Sequence, residues 1–187
     1  MRTEEAPSPE PIATLVHTGP QPERLPEEEL IRLVRRFAET PQLWRPLVQH
    51  LPTERWYRRL RRTGCFEVWL LGWDVAQDTQ IHDHRGSSGA LFVTEGTLVE
   101  YHSDRRRQGP MQHARHRRGG GRAFGPSYVH NLVNEGPGVA TSLHAYSPPL
   151  TTMSYYRRTV NQSLVLDHTL EVDGPEPSLL AAEGGLG

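Results

Sequence analysis

The sequence predicts an all-β fold, a jelly-roll-like β-barrel with α-helices ahead of it. Three observations carry this. Before residue 64 the apolar residues recur at helical spacing. After it they fall into short aromatic and β-branched runs separated by turn residues. Gly (17) and Pro (16) together make up about 18% of the 187 residues, enough for many tight turns but below the level of wholesale disorder. No repeat of about 20–50 residues is visible, which argues against a propeller or solenoid.

Residues 1–25 are rich in Pro and Glu and read as a flexible lead-in. Pro26 and three Glu open a helix, since Pro suits the first turn and acidic groups complement the helix dipole. Leu30, Ile31, Leu33, Val34, Phe37 and Ala38 then recur at helical spacing until Thr40-Pro41. A second, shorter helix is expected over Thr53 to Arg62, ended by Gly64. Phe66–Val75 has the composition of a buried strand. Ala90–Thr94 and Thr97–Tyr101 flank Glu95-Gly96, which predicts a hairpin. Residues 103–122, Arg-rich and Gly-rich, read as a solvated loop. Strands follow at Ser127–Val133, Val139–Tyr146 and Ser163–Val172, and residues 173–187 read as a flexible tail. One domain over residues 26–172 accounts for all of this.

Hydrophobic residues are 35% of the chain and charged residues 23%, which is enough apolar material for one core. Lys+Arg (21) nearly cancels Asp+Glu (22), leaving no field of one sign to hold nucleic acid or an anionic membrane. Cys65 is the single cysteine and cannot form an intramolecular disulfide. The N-terminal residues lack the apolar run of a signal peptide. A cytoplasmic monomer is expected, with no nucleic-acid or membrane partner.

The ten His are the unusual feature of the composition. In Gln80-Ile-His82-Asp-His84 the two imidazoles lie two residues apart, so a strand would project both to one face and turn Asp83 the other way. His130, in Gly125-Pro-Ser-Tyr-Val-His130-Asn-Leu-Val-Asn134, follows a turn and enters a later strand, and would complete a set of three from the opposite side of the barrel. Three neutral imidazoles suit Fe, Zn, Cu or Ni. The other histidines, His17, His50, His102, His113, His116 and His168, have no motif around them and read as surface residues.

These two segments resemble the paired motifs of the cupin superfamily. His82, His84 and Gly96 fall in the first motif, whose Glu position is Gly89 here; Gly120, Pro126, His130 and Asn134 fit the second. Four segments then resemble the cysteine dioxygenase family among thiol dioxygenases: Trp56-Tyr-Arg-Arg59-Leu, Trp69-Leu-Leu-Gly-Trp73, Ile81-His-Asp-His84 and Ser142-Leu-His144-Ala-Tyr146-Ser-Pro-Pro149. They run in order from about Leu30 to Val172.

The resemblance implies a cupin β-barrel, an Fe(2+) cofactor and a small-molecule thiol substrate consumed with O2. It implies that His82, His84 and His130 hold iron and that Arg59, with Tyr57 before it, binds the substrate carboxylate; Arg58 is the alternative. Tyr146 would lie beside the reactants, backed by a relay through His144 and Ser142, which alternate onto one strand face. The Ser147–Pro148 bond would be cis. The product would be cysteine sulfinate; another thiol such as 3-mercaptopropionate, or a non-catalytic metal-binding cupin, is the alternative. Animal members carry a cysteine near Gly89 that links covalently to the tyrosine; this chain has no sulfur there. Cys65 reads as a buried apolar residue, and Trp69 and Trp73 as core.

Overall fold

A computed structural model of the chain describes residues 23–105 and 109–174. It contains one α-helix, α1 (Glu27–Ala38), two 3-10 turns (Pro41–Leu43 and Arg45–Leu47) and eleven strands. The strands are β1 (Trp56–Arg62), β2 (Glu67–Trp73), β3 (Ile81–Asp83), β4 (Ser88–Glu95), β5 (Thr97–Asp104), β6 (Gln112–Arg117), β7 (Gly121–Phe124), β8 (Tyr128–Val133), β9 (Ala140–Ser147), β10 (Thr152–Arg158) and β11 (Leu164–Glu171). They form two antiparallel sheets: a five-stranded one in the order β1-β2-β9-β4-β7, and a six-stranded one in the order β11-β10-β3-β8-β5-β6. The predicted barrel with a helical preface is therefore present.

α1 begins at Pro26, carries Glu27, Glu28 and Glu29 in its first turn, and ends with Arg35 and Arg36, as the helix dipole favours. Its buried stripe, Leu30, Leu33, Val34 and Phe37, packs on the outer face of the five-stranded sheet against Val68, Leu70, Ala90, Leu143 and Ala145. Both faces of β2 and β9 are thus covered, which is why every residue of each is buried. The inner face contributes Trp69, Leu71, Trp73, Leu91 and Val93, which meet Leu98, Leu132, Met153 and Tyr155 of the opposing sheet. This second cluster surrounds the histidines.

Several expectations need correction. Trp56–Arg62 is a strand, not a helix: it pairs with β2 along its length, and as an edge strand it leaves its charged side chains largely in solvent. Among the described residues the helical preface is therefore one α-helix and two short turns. Residues on either side of Gly96 do not form a hairpin. β4 pairs with β7 and β9 while β5 pairs with β6 and β8, so the chain changes sheets there. Gly96 has φ +72°, and a Cβ on it would lie 2.4 Å from the Val139 carbonyl oxygen, so a glycine is required at the crossing. The Arg-rich segment is not simply a loop, since β6 lies within it and β7 begins at its end. Thr152–Arg158, where the sequence signals no strand, forms β10 between β11 and β3.

Of the expected lead-in and tail, most residues lie outside those described. Leu25 is anchored by its N–H donating to Ser147 Oγ at 2.8 Å, and Asp173 and Gly174 lie against β1 and β2. The Ser147–Pro148 peptide is cis, as is Gly136–Pro137. Cys65 is buried, as expected. Among the described residues no helix is long and apolar enough to cross a membrane.

Candidate metal centre

Register places the histidines, and it brings His130 from the strand next to β3 rather than from the opposite side of the barrel as expected. In the six-stranded sheet Tyr155 opposes His82, His82 opposes His130 and His130 opposes His102, so one row of side chains crosses four strands on the interior face. His84, just past β3, turns to the same side. Ring centroids are 4.9 Å apart for His82–His84, 4.7 Å for His82–His130 and 5.2 Å for His84–His130. One nitrogen from each ring lies within 4.8 Å of the other two, and all three residues are buried. Among the described residues no carboxylate or thiol joins this group.

Neighbouring groups fix the rings. His82 Nδ1 lies 2.8 Å from the Gln80 carbonyl oxygen, and His130 Nδ1 lies 2.8 Å from Glu100 Oε1. With Nδ1 engaged, Nε2 is the nitrogen each can turn toward an ion, an arrangement common in metal sites. Glu100 is fully buried on β5, and His116 Nε2 meets its other oxygen at 2.8 Å. Burial pushes the Glu100 pKa up, but the hydrogen bonds from His116 and His130 outweigh it and hold the carboxyl well below the usual range. His116, expected at the surface, is instead part of this buried support. Arg122 from the opposite sheet bonds to Tyr128 Oη at 2.7 Å and approaches His102 Nε2 at 2.9 Å. Asp83 turns outward as expected, is fully buried, and accepts from Arg105 at 3.1 Å and Tyr156 at 2.8 Å. It anchors the short strand that carries His82 and leads into His84.

The five-stranded sheet forms the facing wall. Ser142, His144 and Tyr146 alternate onto the interior side of β9, as predicted. Ser142 Oγ is hydrogen-bonded to His144 Nε2 at 2.9 Å, and His144 Nδ1 to Tyr146 Oη at 3.2 Å. The Tyr146 ring lies 4.8 Å from the His84 ring. Gly89 opposes Tyr146 on one side and Phe124 on the other. A Cβ at Gly89 would come within 2.4 Å of two Phe124 ring carbons and 3.1 Å of Tyr146 Cδ1. The Phe124 ring therefore fills the space that a carboxylate or thiol at position 89 would need. The same ring stacks on His84 at 5.2 Å.

Arg59 and Tyr57 stand at the edge of this wall. Arg59 opposes Trp69, which opposes His144, whereas Arg58 opposes Leu70 on the helix-covered face. Of the two arginines, Arg59 is therefore the one that shares the interior side. Its guanidinium lies 5.1 Å from the Trp69 ring centroid, and its Nη1 donates to Asp173 Oδ1 at 2.8 Å. Tyr57 packs edge-on against Trp69 at 6.0 Å and is about half exposed.

Sequence reasoning misses Trp73 as a site neighbour and Glu100 altogether. Trp73 reads only as core, yet its Nε1–H donates to Ser142 Oγ at 2.9 Å. Glu100 lies inside a strand with no motif around it. Alternation in Leu98-Val-Glu100-Tyr-His102 is the available signal, since a carboxylate in the inward phase of a strand calls for a partner.

The donor set fits a first-row divalent ion. Three buried imidazoles, two of them braced through Nδ1, suit such a metal without selecting which one. Ligands at about 2.1 Å from a shared ion lie at most about 4.2 Å apart, close to the spacing found.

The family model described as cysteine dioxygenase type I matches residues 4–159. No curated protein matches the chain. Among solved structures, a protein from Thermus thermophilus is 20% identical with a TM-score of 0.48, over 56% of this chain and 92% of that one. A Klebsiella pneumoniae protein with a double-stranded β-helix domain is 17% identical with a TM-score of 0.48, over 66% and 93%. A cupin superfamily protein from Desulfitobacterium hafniense is 10% identical with a TM-score of 0.47, over 56% and 87%.

Proposed function

Since this chain belongs to the cysteine dioxygenase type I family, a family of thiol dioxygenases, we propose that it converts L-cysteine and O2 to cysteine sulfinate with Fe(II) as cofactor. The observation that carries this reading is the seam between the sheets: three buried imidazoles on one wall, and the Ser142–His144–Tyr146 array against them on the other. The reaction balances without a further reductant. Sulfur gives up four electrons and O2 takes them: the O–O bond breaks, two S–O bonds form, and the thiol proton is released to solvent as the product leaves as sulfinate. Iron, when bound, supplies adjacent positions at which a thiolate and O2 can meet.

The chain's own residues supply the rest. His82, His84 and His130 hold the ion and remain neutral, so the donor set adds no negative charge. Arg59 takes the substrate carboxylate with its planar, two-pronged donor geometry, and in doing so exchanges Asp173 for the substrate. Tyr57 flanks it. Tyr146 orients the reactants, and the apolar shell of Phe124, Leu91 and Met153 keeps water from the reacting sulfur.

The test is O2 consumption and sulfinate formation by protein loaded with ferrous iron, with 3-mercaptopropionate and cysteamine run beside cysteine. Cysteine turnover is expected, and Arg59→Ala is expected to raise KM for cysteine about 10- to 100-fold while sparing cysteamine. Iron binding without O2 uptake on any of the three thiols rejects the enzyme; faster turnover of 3-mercaptopropionate than of cysteine reassigns the substrate.

A further inference from the structure

We infer that Trp73 sets the proton polarity of the Ser142–His144–Tyr146 array and so directs the Tyr146 phenol proton away from His144. This follows from a count of donors and acceptors. An indole N–H can only donate, so Trp73 Nε1, 2.9 Å from Ser142 Oγ, commits one lone pair of that oxygen. The Ser142 hydroxyl proton must then point elsewhere. Ser142 is fully buried, and His144 Nε2 at 2.9 Å is the acceptor within reach of it among the described residues. Leaving a buried hydroxyl proton without an acceptor is the costly alternative. Ser142 therefore donates to His144 Nε2, which must carry a lone pair. His144 is neutral with its proton on Nδ1, and Nδ1–H donates to Tyr146 Oη at 3.2 Å. Tyr146 accepts from His144 and so turns its own proton away from that imidazole; the tyrosine ring lies 4.8 Å from the ring of His84.

The opposite polarity would place Nε2–H against an oxygen that already accepts from Trp73, orphan the serine proton, and turn the tyrosine proton toward His144. Trp73 can hold its part because it is itself immobile. It is fully buried, and Arg55 lies over its ring at 4.8 Å. It touches no reacting atom and is a positioning residue. The consequence for thiol oxidation rests on the proposed function, whereas the proton arrangement does not.

The test separates the two. Long-range proton–nitrogen NMR on metal-free protein with 15N-labelled histidine reads the tautomer of His144 directly, and it does not depend on turnover. The wild type is expected to hold a single neutral form with Nδ1 protonated, and Trp73→Phe to populate the Nε2–H form. In the iron-loaded protein Trp73→Phe is expected to lower kcat for cysteine about tenfold with KM little changed. An Nε2–H or doubly protonated His144 in the wild type overturns the inference, as does a tautomer unchanged in Trp73→Phe. Should that variant not fold, the wild-type spectrum still decides, with Ser142→Ala, which cuts the link between indole and imidazole, expected to release the single tautomer.

Discussion

Gly89 stands at the position where the motif that this sequence resembles has a glutamate. Its spacing from His84 identifies the missing ligand in the sequence; the reason lies 35 positions away, in the Phe124 ring that occupies the slot. Gly89→Cys is expected to be destabilising by about 1–3 kcal/mol, because the ring cannot retreat from a packed interior without displacing His84 and Tyr128. Phe124→Ala opens the space at its own cost. The double variant is expected to lose clearly less than the sum of the two single losses, read as a thermal-melt double-mutant cycle. Strict additivity would mean that the two positions do not compete for one volume. The same contrast holds for other residues. His82 and His84 are readable because their relationship is local, two positions on a strand. Glu100, His116 and Trp73 act through partners 16 to 69 residues away, and apart from the strand alternation around Glu100 nothing in their immediate sequence marks them.

Burial accounts for part of what the elements reveal: β11 is readable although largely exposed, and β10 is not although its centre is buried. β2, covered on both faces, announces itself by its apolar run from Val68 to Trp73, whereas β9, equally buried, interleaves Ser142, His144 and Tyr146 with Leu143 and Ala145. β1 does not announce itself: Arg58, Arg59, Arg61 and Arg62 mask the period of an edge strand, and only pairing with β2 reveals it. β6 is hidden for the same reason. The change of sheet at Gly96 resembles a hairpin because a turn is local while the choice of strand partner is not. The edge position of β1 also has a functional consequence, since the chain leaving β11 crosses it and Asp173 bonds both Arg59 and Arg62 through Oδ1, at 2.8 and 2.6 Å. The hydrogen bond from Arg59 and its charge hold the Asp173 carboxyl below its ordinary range, so Asp173 is ionised at neutral pH and occupies the guanidinium. A depressed carboxylate keeps this contact at all pH values above its ordinary pKa and loses it only as pH falls through the lowered one. Asp173→Asn is expected to lower KM for cysteine roughly two- to five-fold at neutral pH, a modest gain because the pair is exposed. Turnover of cysteamine, which lacks a carboxylate, should be unchanged. Steady-state kinetics with both thiols checks this, and an unchanged KM for cysteine would mean that substrate does not displace Asp173.

Across the whole molecule the two sheets divide the labour. All three imidazoles come from the six-stranded sheet, on β3, the residue after it, and β8; Arg59 and the Ser142–His144–Tyr146 array come from the five-stranded sheet. An ion would therefore tie together elements of one sheet and leave the other to handle substrate. β3 is three residues long and its ladder to β8 is the single pair His82–His130, supplemented by Thr79 N–H donating to the Leu132 carbonyl at 2.9 Å. It is the weakest seam in that sheet, and a shared ion would cross-link it. Binding to the folded state alone stabilises by about 2.7 kcal/mol when free metal is a hundredfold above Kd. For a chain of this length that corresponds to a rise in Tm of about 5–10 °C. His82→Ala should abolish the rise. Hydrogen exchange should locate it: amides of β3 and its neighbours on β8 and β10 should gain protection on metal binding, while those of β9, already buried between helix and interior, should gain none beyond the global shift. A Tm indifferent to metal, or protection rising equally on both walls, would show that the ion does not act as a brace within one sheet.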